Sequence, residues 1–359
     1  MDYVSHLKGI LVYRAKAERI NDTELSRIIA RLIQMGIVPQ VREAGDDLLL
    51  YIHLQDNVPK RKQRLWLHLL LFLLTIFSTM MAGAIMQGAD FFSDFSAILS
   101  GWTYSFALMT ILTAHEMGHY WAARFHQLKV TLPYYLPLPI PGFHFGTLGA
   151  FIKIKSPLPN KPALLDVGAS GPLAGFFFSL LFLIYGYATL PDAAGIVAYV
   201  EKIHPWNLNG EGINLVLGKS LLFWLFNDVF AGGRLPMNEV YHFPFIFAGW
   251  IGLLVTSINL LPIGQLDGGH ILYALVGKRA RVFGVVAFAL MLVLNVVLII
   301  RYFSFIWVLW VVLILFVIGF RHPPTLNNHL ELGTGRKVTG WVSLMLFVLC
   351  FSPLPIYIS

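Results

Sequence analysis

The sequence predicts an α-helical polytopic membrane protein with about seven transmembrane helices, a membrane-associated β-hairpin or strand region and a small N-terminal α/β cytoplasmic unit. The chain of 359 residues is 57% hydrophobic and only 13% charged, and its mean hydropathy is +0.69. A soluble domain of this length is far less apolar. Apolar runs close to the roughly 20 residues that cross a bilayer recur along the chain, and basic residues cluster beside them.

This clustering explains the net charge of +7 as the mark of cytoplasmic loops, so we expect a lipid bilayer and no nucleic acid as partner. The single cysteine, Cys350, excludes an intramolecular disulfide and any Cys-rich metal site. A metal would therefore need His and carboxylate ligands.

Residues 1–58 are the one stretch with soluble character, and we predict that they form the small cytoplasmic α/β unit. Asp22 can cap a helix that extends through Met35, and two strands, at 37–42 and 48–54, flank a turn. Residues 59–64 then place four cations directly before an apolar run, which predicts a cytoplasmic N-terminus. Because no signal or transit peptide pattern is present, we expect a multi-pass protein of a bacterial inner (cytoplasmic) membrane.

Residues 59–359 are predicted to form the membrane domain, with core motifs at 102–320. The seven spanning candidates are residues 65–86, 102–125, 168–190, 243–261, 282–300, 303–320 and 339–357. Alternating these spans from a cytoplasmic start places the basic loops inside. The loop 191–242, which is poor in Lys and Arg, is then outside, so charge and topology agree.

Between the second and third spans the pattern is not helical. Residues 131–146 contain four prolines, which disfavour a helix, and residues 147–155 alternate as in a strand. Apolar non-helical backbone at a membrane must be buried in protein or line a cavity. We therefore predict an extended loop that leads into a strand.

The second predicted span contains the sequence His115-Glu116-Met117-Gly118-His119. On a helix the two histidines share a face, so both imidazoles can bind one zinc ion while Glu116 reaches a water at the metal. The pattern is short, and two helix histidines with ordinary partners would also produce it. Inside a bilayer, however, a charged residue such as Glu116 costs about 2.5 to 3.5 kcal/mol, and such residues are generally functional. The metal site is therefore favoured.

A catalytic zinc site usually has three protein ligands and one open position. Asp267 is the candidate for the third ligand, because it lies in an apolar segment that Pro262 and three glycines interrupt. Broken backbone with a carboxylate at membrane depth is typical of intramembrane sites. Taken alone, this segment fits a re-entrant turn with Asp267 as a helix cap equally well.

With these two motifs, the sequence resembles the site-2 protease family of intramembrane zinc metalloproteases, in a compact form without a PDZ domain. That family has H-E-x-x-H on one span and N-x-x-P-x-x-x-L-D-G-G on a later one, and residues 115–119 and 259–269 match these patterns. The resemblance implies one Zn²⁺ per chain, with two histidine ligands, one aspartate ligand and a glutamate base: His115, His119, Asp267 and Glu116. The outer loop is too short for the PDZ domain of many bacterial members.

The resemblance also implies what the protein acts on. The family cleaves peptide bonds in transmembrane segments, so single-span membrane proteins are the expected substrates. Asn259 is expected to contact the substrate near the scissile bond, and the strand with Gly149 and Phe151 to pair with an unwound substrate segment. The stretch 169–175 resembles the family's S-G-P motif, and its small residues predict close helix packing.

Three other classes of protein compete with this expectation. A membrane transporter or metal-permeation protein could use the same cluster as an ion site, but it needs no base and usually has duplicated halves. A membrane hydrolase acting on lipid amides or prenylated tails would share only the H-E-x-x-H pattern, and Glu116 argues against an inactive scaffold. We interpret His270 as a side chain satisfied by nearby backbone, and His322 as solvated at a membrane end.

Overall fold

The structure is a computed structural model. It describes every residue except 1, 8–9, 17–21, 36, 45–46, 54–63, 90–92, 141–144, 204–214, 321, 329 and 359.

The N-terminal part of the chain contains an antiparallel sheet. Its strands are β1 (Asp2–Leu7), β2 (Ile10–Lys16), β3 (Val38–Ala44) and β4 (Asp47–His53), in the order β1-β2-β4-β3. Helix α1 (Asp22–Gln34) packs Leu25 and Ile29 against Leu48 of β4.

Helix α1 and the β3–β4 hairpin lie where the sequence predicts a helix and two strands. Strands β1 and β2 were not predicted, because the continuous apolar run at 10–13 is too short to separate a strand from a helix and residues 2–7 do not alternate. The turn centre 45–46 and most of the basic linker, 59–63, lie outside the described residues. The division of the chain at residue 58 stays a prediction.

The remainder of the described chain is mainly helical. Its helices are α2 (Leu65–Met86), α3 (Trp102–Phe125), α4 (Lys161–Ala188), α5 (Ala193–Ile203), α6 (Leu221–Trp224), α7 (Pro244–Asn259), α8 (Asp267–Val276), α9 (Ala280–Tyr302), α10 (Val308–Leu313) and α11 (Thr334–Cys350). A 3-10 turn (Phe95–Gly101) leads into α3, and π-helical turns extend α6 to Phe230 and α10 to Ile318.

Four helical stretches among the described residues are long and apolar enough to cross a membrane: Leu65–Met86, Phe95–Phe125, Lys161–Ala188 and Asp267–Tyr302. The predicted spans 243–261 and 303–320 correspond to the shorter apolar helices Pro244–Asn259 and Val308–Ile318. The predicted span 339–357 corresponds to α11, which ends at Cys350. A helical membrane protein is therefore supported, and the count of seven spans stays a prediction.

The non-helical region forms a hairpin that packs against α2 and α3. Strand β5 (Tyr134–Pro137) pairs antiparallel with β6 (Thr147–Phe151), with Tyr134 opposite Phe151. An isolated bridge between Val130 and Ile154 continues the pairing toward the helices. The extended loop and the strand are thus present, although β6 ends at Phe151. The tip of the hairpin, 141–144, lies outside the described residues.

Helices α3, α4 and α7 pack together at the centre of the membrane part, and buried side chains such as Leu108, Leu183 and Phe247 fill the space between them. Glycine makes the crossing of α4 and α7 close. A Cβ added to Gly252 would lie 2.0 Å from the Ser179 hydroxyl oxygen, a distance that only a residue without a side chain allows. The backbones of α4 and α7 are therefore packed closely at this crossing.

Two parts of the chain that are distant in sequence pair as strands. Strand β7 (Leu215–Leu217) runs antiparallel to β8 (Ile356–Ile358), which lies near the C-terminus. Trp250 of α7 donates its indole N–H to the Gly218 carbonyl at 2.8 Å, and Trp307 donates to the Pro353 carbonyl at 2.7 Å. These contacts tie the predicted outer loop to the end of α11.

Candidate metal centre

Two elements distant in sequence bring three ligand groups together. His115 and His119 lie one turn apart on α3, and Asp267 is the first residue of α8. The two histidine Nε2 atoms are 3.1 Å apart. One Asp267 carboxylate oxygen, Oδ2, lies 3.6 Å from His115 Nε2 and 3.2 Å from His119 Nε2. Among the described residues, these three form the group that could hold a metal ion.

A backbone contact sets the orientation of His119. Its Nδ1 lies 2.7 Å from the Val167 carbonyl oxygen of α4. A carbonyl only accepts, so Nδ1 carries the proton and Nε2 keeps a lone pair that faces the other two groups. Metal-binding histidines commonly hydrogen-bond to a backbone carbonyl in this way.

The separations of these atoms fit zinc. Bonds of about 2.0 to 2.1 Å to nitrogen or oxygen, arranged tetrahedrally, place neighbouring ligand atoms about 3.3 to 3.4 Å apart. The observed separations of 3.1, 3.2 and 3.6 Å bracket that distance. Two imidazoles and one carboxylate also form a typical donor set for catalytic zinc, which leaves one position open.

Helix α4 presents a glycine face to the two histidines. A Cβ added to Gly171 would lie 2.1 Å from His119 Nε2, and one added to Gly175 would lie 3.1 Å from His115 Nδ1. Real Cβ atoms essentially never approach within 3.0 Å. The predicted close helix packing of the stretch 169–175 is therefore present, and its partners include the imidazoles of His115 and His119, which the sequence did not reveal.

The segment between α7 and α8 places Asp267 opposite these histidines. Glycines allow the chain to fold back on itself, because a Cβ added to Gly268 would lie 2.0 Å from the Leu260 carbonyl oxygen. One added to Gly269 would lie 2.4 Å from the Gly264 carbonyl oxygen. Asp267 makes no side-chain cap on its own helix, so its carboxylate is directed to the histidines.

Glu116 lies within the same buried region of α3, with 6% of its surface exposed. The backbone of Ile152, the residue after β6, lies close to the Glu116 carboxylate. The candidate base thus lies between the candidate ligand group and the hairpin.

The three predicted substrate-binding residues occupy different positions. The side-chain amide nitrogen of Asn259, the last residue of α7, lies 3.3 Å from His115 Nε2, so it borders the metal site. Gly149 and Phe151 lie on β6 instead, and Phe151 is half exposed and stacks on Tyr134. Gly149 has a φ of 100° and open space where a side chain would be. The structure therefore groups Asn259 with the candidate ligands and places the other two residues on the hairpin.

The interpretations of His270 and His322 from the sequence differ from the structure. His270 Nδ1 lies 2.5 Å from His322 Nε2, so its partner is a distant side chain rather than nearby backbone. His322 is half-buried and not freely solvated. The two residues are separated by 52 positions, and no local pattern in the sequence indicates such a contact.

Comparison with known proteins agrees with this geometry. Residues 103–300, more than half of the chain, match the family described as peptidase family M50. A protein of Oryza sativa subsp. japonica named "Probable zinc metalloprotease EGY1, chloroplastic" is 32% identical over 310 residues, which are 80% of this chain and 50% of that protein. Its namesake in Arabidopsis thaliana is 30% identical over 309 residues, or 79% and 52% of the two chains.

The chain spans about half the length of these two curated relatives. No solved structure matches the chain. The extent of the family match and the coverage by a relative of more than 30% identity lead to one conclusion: the chain belongs to peptidase family M50.

Proposed function

We propose that this protein is an intramembrane zinc metalloprotease that hydrolyses peptide bonds in the transmembrane segments of membrane proteins. The observation that carries the proposal is the meeting of His115, His119 and Asp267, with Glu116 beside them, on helices apolar enough to cross a bilayer. The names of the relatives as zinc metalloproteases agree with it. Single-span membrane proteins are the proposed substrates.

We assign roles to the side chains from the chemistry of these donor groups. The two imidazoles and the Asp267 carboxylate would hold a zinc ion, which would supply Lewis acidity to activate water and polarise a peptide carbonyl. Glu116 accepts the proton of the attacking water and then donates it to the leaving amine. Asn259 is placed to donate a hydrogen bond to a substrate carbonyl next to His115.

A helical substrate must unwind before its backbone can reach this site, because helix carbonyls are occupied by intrahelical hydrogen bonds. In the described two-stranded sheet, one edge of β6 pairs with β5 and the other edge pairs with no described strand. We propose that the other edge receives the unwound segment by β-augmentation. The contact between Ile152 and Glu116 would place that segment beside the base.

The direction of insertion follows from charge. Basic residues precede the first spanning helix at 60–64 and recur at 278–281, and the positive-inside rule assigns both to the cytoplasmic side. We therefore propose a multi-pass protein with the N-terminus in the cytoplasm. The bacterial inner membrane stays a prediction, since the similar proteins carry the description chloroplastic.

The test compares the wild-type protein with Glu116→Gln, both purified in detergent. Zinc content is measured by atomic emission, and cleavage is measured on a panel of single-span substrates. We expect one zinc per chain in both proteins and a loss of about 10²- to 10⁴-fold in cleavage in the variant. The matched control is Glu201→Gln, on the exposed surface of α5, which leaves both unchanged. Absence of zinc from the wild type would contradict the proposal.

The role of β6 has a separate test. Proline fixes φ near −65° and cannot adopt the φ of 100° at Gly149, so Gly149→Pro should abolish cleavage while zinc remains bound. The control is Ile140→Ala, at an exposed side chain of the same hairpin. Unchanged cleavage by the proline variant would eliminate β-augmentation at this strand and leave the metal chemistry intact.

A further inference from the structure

The segment His322–Asn328 between α10 and α11, here called the strap, contacts three parts of the molecule. It touches the helix that begins with Asp267, the start of α4, and the N-terminal sheet. The function proposed above gives the strap no role. Thr325, Leu326 and Asn327 are buried although the strap has no helix or strand, so the segment is packed between these parts.

The first contact joins the strap to α8. His322 Nε2 lies 2.5 Å from His270 Nδ1, and the His322 ring stacks on Tyr273 with a centroid distance of 4.5 Å and an interplanar angle of 22°. Asn328 donates to the Tyr273 hydroxyl at 3.3 Å. The strap therefore holds α8 at two residues in the turns that follow Asp267.

The proton positions in this contact follow from the partners. His322 Nδ1 lies 2.6 Å from the Pro323 carbonyl oxygen, which can only accept, so Nδ1 carries the proton. His322 Nε2 is then an acceptor, and His270 Nδ1 donates to it. His322 therefore presents an acceptor to a donor on His270, so the contact is directional and a side chain without an acceptor cannot replace it.

The second contact joins the strap to α4. Leu326 donates its backbone N–H to the Leu158 carbonyl at 3.1 Å, and Asn327 donates to the Pro159 carbonyl at 2.8 Å. The next residue, Asn160, caps α4 through its side chain. Helix α4 supplies the glycine face and the Val167 carbonyl that position the histidines. The strap thus contacts α8, which begins with Asp267, and the start of α4, which packs against the two histidines.

The third contact joins the strap to the N-terminal sheet. Strand β3 is an edge of that sheet, and Val41 donates its backbone N–H to the Leu326 carbonyl at 3.2 Å. The Leu326 side chain is buried in one cluster with Leu25, Ile29 and Leu48. One residue of the strap therefore belongs to the core of the N-terminal unit.

We propose that the strap is a positioning element of the metal centre: His322 fixes the helix that carries Asp267, and the N-terminal unit, through Leu326, sets how firmly the strap is held. The proposal rests on the proposed function for its metal. Ligand atoms at a well-formed metal site lie within about 0.2 Å of the standard bond lengths, and α8 is a helix of 10 residues with Asp267 at its start. A small movement of α8 is therefore enough to weaken the site.

The first experiment measures zinc affinity of the full-length protein by competition with a chelator, without reference to cleavage. His322→Phe keeps the ring on Tyr273 and removes the acceptor, whereas His322→Gln places an amide oxygen near the position of Nε2. We expect His322→Phe to weaken zinc binding by about 10- to 100-fold, as residues behind metal ligands do, and His322→Gln to restore most of it. The control is Pro324→Ala, an exposed position of the strap.

The second experiment tests the link to the N-terminal unit. Leu25→Ala and Leu326→Ala each remove a buried side chain from the shared cluster, and we expect both to lower zinc affinity by about 2- to 30-fold. Leu217→Ala, with 1% of the residue exposed, makes the same substitution in a different buried cluster, which contains none of the strap residues. It should leave zinc affinity unchanged. Hydrogen exchange at α8 amides should be faster in the first two variants and in His322→Phe.

The outcomes separate the two proposals. Wild-type zinc affinity in His322→Phe, with unchanged exchange at α8, would overturn the role of the strap and leave the metalloprotease proposal intact. Wild-type affinity in both leucine variants would overturn the link to the N-terminal unit. A wild-type protein that binds no zinc would instead overturn the proposed function itself.

Discussion

Replacement of Gly171 by alanine tests the metal centre without changing a ligand. The added Cβ would lie 2.1, 2.4 and 2.5 Å from three atoms of the His119 ring. Ordinary contact begins at 3.4 Å, so the nearest ring atom would have to move by about 1.3 Å. The hydrogen bond of 2.7 Å to the Val167 carbonyl opposes this movement, because a displaced ring would lose it.

A displacement of this size is several times the roughly 0.2 Å within which ligand distances at a metal site match the standard bond lengths. Changes behind a metal ligand typically cost 10- to 100-fold in affinity. Displacing a ligand itself should therefore cost at least about 100-fold. The helix is not weakened by the change, since alanine has a higher helix propensity than glycine by about 1 kcal/mol. We expect a folded protein that has lost zinc and cleavage together.

Chelator competition measures the affinity, and size-exclusion chromatography with thermal unfolding shows that the variant is folded. Two glycines provide a graded control. Gly175→Ala brings a Cβ to 3.1 Å from His115 Nδ1 and requires a shift of only a few tenths of an ångström, so its effect should be mild. Gly335→Ala has open space around it and should have none. Wild-type zinc affinity in Gly171→Ala would refute the reasoning.

Two further predictions concern the substrate and the helix packing. Asn259→Ala should still bind zinc but cleave about 10²- to 10³-fold more slowly, because it removes a hydrogen-bond donor to the charge that develops on the substrate carbonyl. The control is Asn295→Ala, in α9, which should cleave normally. Gly101→Ala places a Cβ 1.9 Å from the Met80 carbonyl oxygen. It should lower the free energy of unfolding by about 1 to 3 kcal/mol, measured by thermal unfolding in detergent against Gly335→Ala. An unchanged midpoint would contradict the close contact between α2 and the 3-10 turn that contains Gly101.

Local patterns in the sequence predicted which side chains of the candidate site would come together. Histidines one helical turn apart must share a face, whereas Asp267 fitted a helix cap equally well until it was paired with the histidine motif. The pairing of these two motifs then required only that α3 and α8 meet. Helix α1 and the β3–β4 hairpin followed from periodicity in the same way.

Contacts between distant parts of the chain could not be predicted in this way. A row of small residues on α4 indicates close packing but not the identity of its partner, and here the partners of Gly171 and Gly175 are imidazole rings. The contact of His119 with the Val167 carbonyl could not be predicted either, because every residue has a backbone carbonyl and the sequence does not show which one is used. The pairing of β7 with β8 and the contact of His270 with His322 join segments whose sequences contain no matching pattern. Tertiary packing decides these features.

The rigidity of the site bears on the choice between a protease and a permeation protein. A site that passes ions must bind weakly enough to release them, and its ligands need room to move. Here His119 is held by the Val167 carbonyl and confined by Gly171, and Asp267 lies at the start of a helix fixed by a close backbone turn. Fixed ligands favour a resident metal. Glu116, which lies close to the backbone of Ile152, would then have a purpose as a base that an ion pathway does not require, so the contacts expected to retain zinc also favour hydrolysis.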